Sequence, residues 1–189
     1  MPSNKSNLQP VRGTQDLLPV ESALIRFVGE TAFKVAQRYG FGEITTPIFE
    51  FTEVFTRTLG NTSDIVTKEM YTWEDQNGKS LTLKPELTAP VVRAYIQHNL
   101  AGESPLTKLY YFDSLFRRER PQKGRQRQFH QFGIEAIGSP YPECDAEVVA
   151  SAYSFLSGLG LSELTLKLNS IGSKKSRKNY CDALIEFLN

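Results

Sequence analysis

Two strand–loop–strand patterns follow one another along this 189-residue chain, and they constrain its fold more than any other feature. In the first, Met70–Glu74 and Ser80–Lys84 flank a polar turn that contains Asn77-Gly78, the pair most typical of a tight β-hairpin. In the second, the apolar-rich segments Leu109–Arg118 and Phe129–Gly138 flank a long polar loop. Because hairpins join antiparallel strands, the sequence predicts antiparallel pairing in the middle of the chain.

Segments with helical spacing of apolar residues surround these strands. The predicted helices are 20–39, 52–59, one that Thr88 caps and that runs to about Leu100, one that Asp145 caps and that runs to about Ser157, and 173–188. Glu43–Phe51 looks extended, and Pro47 within it predicts a strand at a sheet edge or an interface. Leu164, Leu166 and Leu168 alternate as in a half-buried strand. Without regular βαβ alternation, these elements predict an α+β fold with a mostly antiparallel sheet flanked by helices.

The composition is that of one ordinary globular domain, with a net charge of +1 and 40% apolar residues. No stretch approaches the run of about 20 apolar residues that a membrane-spanning helix needs. Two distant cysteines and two histidines form no metal-ligand spacing, so we expect no bound structural metal. We expect a reducing, cytoplasmic location.

The loop between the second pair of strands is strongly basic. Six of the eleven residues from Arg117 to Arg127 are Arg or Lys, and Pro121 and Gly124 interrupt regular structure there. Guanidinium groups bind phosphate oxygens in a bidentate manner, which suits such a loop to a phosphate-bearing ligand. A solvated hairpin tip would have the same composition.

Strand parity assigns polar residues to one face beside this loop. Gln131, Gly133 and Glu135 fall on one face of their strand, and the apolar Phe132, Ile134 and Ala136 fall on the other. The glycine predicts an open space for a small ligand between an amide and a carboxylate.

An earlier segment, Thr82–Thr88, adds further polar groups. In extended geometry it brings Lys84, Glu86 and Thr88 together. Glu86 and Thr88 form a candidate amino-acid pocket with Arg117, Gln131 and Glu135. In it the carboxylates hold an ammonium group, and the arginine holds a carboxylate or phosphate. The alternative interpretation is that these polar residues alternate on the solvent-facing side of a sheet that packs on its other face only.

The same residues carry a family resemblance. Phe116-Arg117, Glu119, a loop, and then Arg125 and Phe129 resemble motif 2 of class II aminoacyl-tRNA synthetases. The fuller string ERPQKGR…RQFHQ resembles the histidyl-tRNA synthetase family in particular. Three further segments resemble that family: Arg12–Pro19, Lys84–Pro90 and Leu168–Gly172. Leu87 and Gln126 depart from it, because a glycine and an aromatic residue are frequent at those two positions.

The resemblance implies a role for each matching residue. Glu86, Thr88 and Gln131 would hold the histidine ammonium group, and Glu135 would bind the imidazole. Arg117, the implied catalytic residue, would contact the α-phosphate and the histidine carboxylate. ATP would also meet Glu119 at the adenine amino group, Phe129 at the adenine ring and Arg125 at the γ-phosphate, while Arg120 and Gln122 would contact the tRNA.

The resemblance also implies partners and a domain assignment. ATP with Mg²⁺, L-histidine and histidine tRNA would be the substrates, and the Pro47 segment, which resembles motif 1, would build a homodimer. Residues 1–189 would be part of a class II catalytic domain, because motif 3 and the anticodon-binding domain are not found in this chain.

Two other functions are compatible with parts of this pattern. A regulatory subunit of ATP phosphoribosyltransferase would keep the fold and sense histidine without catalysis. The intact ERPQKGR loop argues against it, since that paralogue typically lacks the loop that serves tRNA. A basic hairpin that merely binds RNA is the third possibility, but the chain contains no RNA-recognition motif.

Overall fold

The structure, a computed structural model, describes residues 9–59, 66, 69–169 and 172–188. The helices are α1 (Pro19–Arg38), α2 (Thr52–Leu59), α3 (Thr88–Gln97), α4 (Leu100–Glu103), α5 (Pro142–Gly158) and α6 (Lys174–Leu188). The strands are β1 (Gly42–Glu43), β2 (Phe49–Phe51), β3 (Thr72–Glu74), β4 (Ser80–Leu83), β5 (Thr107–Phe116) and β6 (Gln128–Ile137). The predicted α+β class is confirmed.

The described strands form two three-stranded sheets rather than one. The first has the order β1-β5-β6, with β1 parallel to β5 and β5 antiparallel to β6 from Thr107↔Ile137 to Phe116↔Gln128. The second, β2-β4-β3, is entirely antiparallel and contains the predicted hairpin. Both predicted strand pairs are therefore present, and antiparallel pairing dominates.

The long β5–β6 pair separates two apolar clusters. On one face, Tyr110 is buried with Ala36 and Phe41, and the apolar side chains of β6 pack against them as parity predicted. On the other face, Leu87, Val91, Tyr111 and Leu115 form the second cluster. The polar residues Gln131 and Glu135 lie on this second face of β6, so they stand at the margin of a packed core.

The predicted extended segment around Pro47 is divided into two short strands. β1 ends at Glu43 and β2 begins at Phe49, and Pro47 lies in the connection between them. Proline supplies no N–H to a sheet, which explains the break. β2 is an edge strand of its sheet, as the proline predicted.

Three other predictions were wrong in detail. Leu164–Leu168 forms no strand, because none of the described strands pairs with it, and Leu166 and Leu168 are exposed. The N-cap of α3 is Leu87 rather than Thr88, since the Glu86 carboxylate accepts the first N–H groups of the helix. α5 begins at Pro142, before Asp145, because proline is favoured in the first helical turn.

Candidate functional site

Arg117 lies where the two sheets meet. The backbone N–H of Phe116 donates to Lys84 O at 3.0 Å, which joins the end of β5 to the segment that follows β4. One residue further on, Arg117 Nε donates to Pro85 O at 2.8 Å. This bond fixes the direction of the arginine side chain. It uses Nε alone, so the two terminal nitrogens of the guanidinium group can still contact a ligand.

A cleft of about 540 Å³ opens beside this guanidinium group. The Arg117 guanidinium carbon lies 5.1 Å from the centre of the Phe129 ring, and its Nη1 lies 3.9 Å from Glu119 Oε1. Arg125 Nη1 lies 3.5 Å from Glu119 Oε2, an oxygen that is buried and accepts no hydrogen bond within the described part of the chain. We call this the arginine cleft; its lining residues are Glu69, Arg117, Glu119, Gly124, Arg125, Gln126, Phe129 and His130.

The segment that precedes α1 holds the basic loop in place. Gly13 O accepts the backbone N–H of Arg127 at 2.7 Å, and Gln126 Nε2 donates to Gln15 Oε1 at 3.4 Å. Gly13 has a φ of +90°, and a Cβ atom there would lie only 2.8 Å from Pro121 Cγ. Glycine is therefore required at this close approach. Gln126, which departs from the family pattern, contacts this segment through Gln15.

Glu86, Thr88 and Glu135 come together next to the cleft. The Thr88 hydroxyl donates to Glu135 Oε1 at 2.8 Å, and Tyr111 Oη donates to the same oxygen at 3.2 Å. Glu86 Oε2 accepts the backbone N–H of Thr88 at 2.8 Å, and its Oε1 accepts that of Ala89 at 3.0 Å. We call these four residues, Glu86, Thr88, Tyr111 and Glu135, the carboxylate site.

Electrostatics links the carboxylate site to Arg117. Burial raises the pKa of Glu86 above its ordinary value, and the backbone N–H groups of Ala89 and Thr88 offset only part of that effect. The negative charge of Glu135 raises this pKa further, while the positive charge of Arg117 lowers it. The negative charges of Glu86 and Glu135 therefore favour binding of a cation at the carboxylate site.

The space predicted above Gly133 is filled. Tyr111 stands directly opposite Gly133 in the β5–β6 register, and a Cβ atom on residue 133 would lie 2.3 Å from Tyr111 Oη. The glycine therefore admits the Tyr111 ring, which is buried, rather than a ligand. Our expectation of an open gap between Gln131 and Glu135 was wrong, because parity along one strand does not show which side chain of the neighbouring strand covers it.

Lys84 belongs to the core and not to the pocket. Its side chain is fully buried, and Nζ lies 2.5 Å from Asp113 Oδ2 and 3.2 Å from Thr46 O. We predicted Lys84 beside Glu86 and Thr88, but β4 ends at Leu83, so the alternation does not continue through Thr88. Asp113, an acidic residue within an apolar strand, was a signal that a buried cation faces that strand.

The remaining predicted residues lie on β6, on the basic loop and beneath the carboxylate site. Gln131 is on the carboxylate-site face of β6, directly opposite Asp113 in register. Arg120 and Gln122 are exposed on the loop, where the backbone N–H of Arg125 donates to Gln122 O at 2.9 Å. Leu87, the other departure from the family pattern, is buried beneath the carboxylate site.

The described residues contain neither a candidate metal centre nor a candidate membrane span. Within 9–59, 66, 69–169 and 172–188, no group of three His, Cys, Asp or Glu side chains could hold a metal ion. Across those same residues, no helix combines the length and the apolar character that crossing a membrane requires.

Comparison with known proteins identifies the family. The model of the family described as histidyl-tRNA synthetase matches residues 13–174. The chain belongs to the histidyl-tRNA synthetase family. It is 58% identical over 182 residues to a histidine–tRNA ligase from Rhodospirillum rubrum, covering 96% of this chain and 44% of that protein. It is 52% identical over 176 residues to one from Natranaerobius thermophilus, covering 93% and 42%.

Solved structures agree with this histidyl-tRNA synthetase fold. An apo S. aureus histidyl-tRNA synthetase superimposes with a TM-score of 0.77 at 41% identity, over 95% of this chain and 42% of that one. A protein from Bacillus halodurans, described as an ATP phosphoribosyltransferase regulatory subunit/histidyl-tRNA synthetase, has a TM-score of 0.71 at 27% identity, covering 85% and 40%. The chain spans less than half of the length of each of these relatives.

Proposed function

We propose that this chain is part of a histidine–tRNA ligase, which activates L-histidine with ATP and transfers it to histidine tRNA. In this proposal residues 1–189 are a portion of a class II catalytic domain. The observation that carries it is the position of Arg117. Its Nε is bonded to Pro85 O beside the carboxylate site, while its guanidinium group lines the arginine cleft. One cation therefore borders both a site suited to an amino acid and a site suited to a nucleotide.

The carboxylate site is suited to histidine. Glu86 and Gln131 would hold the ammonium group, with the Thr88 hydroxyl beside them, and Glu135 would accept a ring N–H of the imidazole. The raised pKa of Glu86 supports this use, because a bound ammonium group compensates the charge that burial disfavours.

The arginine cleft is suited to ATP. The buried Glu119 Oε2 would accept a hydrogen bond from the adenine amino group, and the Phe129 ring would stack on the base. Arg125, which is exposed, would contact the γ-phosphate. Mg²⁺ would be held mainly by the phosphates, which is its usual mode in nucleotide sites. The carboxylates of Glu69 and Glu119 line the cleft in which that ion would neutralise phosphate charge.

The reaction then follows in two steps. The histidine carboxylate attacks the α-phosphorus of ATP, pyrophosphate leaves, and histidyl-adenylate forms. A terminal ribose hydroxyl of the tRNA next attacks the activated carbonyl and releases AMP. Neither step needs a protein nucleophile, so positioning and charge stabilisation by Arg117 are the main contributions of this chain.

Two surfaces suit the macromolecular partners. Arg120 and Gln122 are exposed on the basic loop and would contact the tRNA. The Pro47 segment would form a homodimer interface, because Ile48, Phe49 and Phe51 next to it are all exposed. The cytoplasm, where tRNA and ATP are available, is the proposed location.

One specific observation favours a second candidate. The Bacillus halodurans protein carries the name of an ATP phosphoribosyltransferase regulatory subunit as well as that of a synthetase. A histidine-sensing regulator would use the carboxylate site and would not need the arginine cleft. The contacts of Arg117 and Glu119 within that cleft favour the ligase.

The deciding experiment is histidine-dependent ATP–pyrophosphate exchange by the full-length gene product. The ligase requires exchange that depends on L-histidine and on Arg117. Tight histidine binding without exchange would favour the regulator, and RNA binding without histidine affinity would favour a simple RNA-binding hairpin.

A further inference from the structure

Tyr111 is a residue of the carboxylate site to which neither the sequence motifs nor the proposed reaction assigns a role. It is buried, it lies on β5, and its ring covers Gly133 of β6. Its hydroxyl donates to Glu135 Oε1 at 3.2 Å. A buried hydroxyl requires a hydrogen-bond partner, and the Glu135 carboxylate is the partner of Tyr111.

The two donors of the carboxylate site converge on one oxygen. Thr88 Oγ1 and Tyr111 Oη both donate to Oε1 of Glu135, and neither donates to Oε2. A carboxylate can accept through both oxygens, and it rotates freely unless its environment holds it. Two donors on Oε1 restrict the orientation of the group, and Oε2 can accept a hydrogen bond from a third donor.

The protonation of Tyr111 agrees with this geometry. Burial raises the pKa of the Tyr111 hydroxyl far above its ordinary value, and the charge of Glu135 raises it further. The hydroxyl is therefore neutral at any physiological pH and donates its proton to the carboxylate.

We propose that Tyr111 is a positioning residue that determines specificity for histidine. This inference rests on the proposed function. By holding Glu135 Oε1, Tyr111 and Thr88 direct Oε2 toward a ring N–H of the substrate. A site whose oriented polar group is left unpaired rejects an analogue that lacks the matching donor. Tyr111 thus selects an amino acid with a ring N–H over an isosteric aromatic one.

Conservative substitution of Tyr111 tests this in the full-length gene product. In Tyr111→Phe the ring remains over Gly133 and only the hydroxyl is lost. We expect the KM for L-histidine in pyrophosphate exchange to rise about tenfold, while kcat and the KM for ATP change less than twofold. The inhibition constant of β-(2-thienyl)-L-alanine, which has a similar ring without an N–H, should stay within threefold.

Two further variants separate positioning from general packing. Gly133→Ala changes neither donor nor acceptor, but its Cβ displaces the Tyr111 hydroxyl, so it should reproduce the selective loss of histidine affinity. Tyr110→Phe is the matched control, because Tyr110 is equally buried on the same strand but faces Glu43 on the opposite side. Its kinetic constants should remain those of the unmodified protein.

The outcomes distinguish this inference from the proposed function. Unchanged histidine KM in Tyr111→Phe, or equal losses for histidine, ATP and thienylalanine, would overturn the role of Tyr111 and leave the ligase intact. An unmodified protein with neither exchange nor histidine binding would overturn the proposed function itself, and the role of Tyr111 with it.

Discussion

Lys84 and Asp113 form an ion pair that connects the two sheets, with Nζ 2.5 Å from Oδ2. Lys84 follows β4 of the second sheet and Asp113 belongs to β5 of the first. The Lys84 side chain is 0% exposed and that of Asp113 is 27% exposed. Because the backbone of Lys84 also binds β5 at Phe116, this pair fixes the segment from which Pro85 and Glu86 reach the site.

The first prediction follows from the unequal burial of the two partners. Asp113→Leu leaves the Lys84 ammonium group buried with Thr46 O as its remaining partner among the described residues, and should lower the free energy of unfolding by about 3–5 kcal/mol. Lys84→Met should cost less, since water still reaches the Asp113 carboxylate. Urea unfolding of the variants measures both effects.

A double variant and a surface pair provide the controls. Lys84→Met combined with Asp113→Leu should recover most of the lost stability, because no unpaired charge remains. Glu53→Ala breaks the exposed Arg57–Glu53 pair and should change stability by no more than about 1 kcal/mol. A double variant that is less stable than Asp113→Leu alone would contradict this explanation.

The second prediction concerns the geometry of Arg117. Arg117→Ala should abolish adenylate formation without unfolding the protein. Arg117→Lys keeps the charge but loses the Nε bond to Pro85 O and the planar group beside Phe129, so exchange should fall by about 10²–10³-fold. Arg57→Lys, on an exposed arginine of α2, is the control and should have normal exchange. Near-normal exchange in Arg117→Lys would rule out a directional role for the guanidinium group.

The sequence predicted the features that depend on local periodicity. Parity alone assigned Phe132, Ile134 and Ala136 to the core and Gln131 and Glu135 to the other face, and the structure confirms both assignments. The bounds of α2 were predicted correctly, because the amphipathic pattern that defines the helix begins and ends within Thr52–Leu59.

Features that depend on register between strands could not be predicted in this way. That Tyr111 covers Gly133 follows from their direct pairing, which the two strand sequences do not specify. The partner of Lys84 lies in another sheet, and one strand pattern contains no information about it. The Leu164–Leu168 alternation likewise predicted a strand without showing what it would pair with, and no described strand does.

The third prediction separates the two ligands of the proposed reaction. Glu135→Ala removes the carboxylate that Thr88 and Tyr111 hold, so the affinity for L-histidine should fall by about tenfold or more. ATP affinity should be nearly unchanged, because Glu135 does not line the arginine cleft. Calorimetric titration with each ligand measures this, with Glu43→Ala on the opposite face as the control. Equal losses for both ligands would show that Glu135 does not act on histidine specifically.

The fourth prediction uses the raised pKa of Glu86. This pKa is higher in the folded protein than the ordinary value of 4.5. Ionised Glu86 therefore disfavours folding, and the free energy of unfolding falls as the pH rises above 4.5. Glu86→Gln should therefore raise the melting temperature of the ligand-free protein at pH 7, and this gain should disappear as the pH falls below 4.5, where Glu86 is protonated in both states. Saturating L-histidine at pH 7 should reverse the order, since its ammonium group compensates the carboxylate of the unmodified protein and not the amide. If Glu86→Gln melts lower than the unmodified protein at pH 7 without ligand, the N–H groups of Thr88 and Ala89 outweigh burial, and Glu86 serves the start of α3 rather than a bound cation.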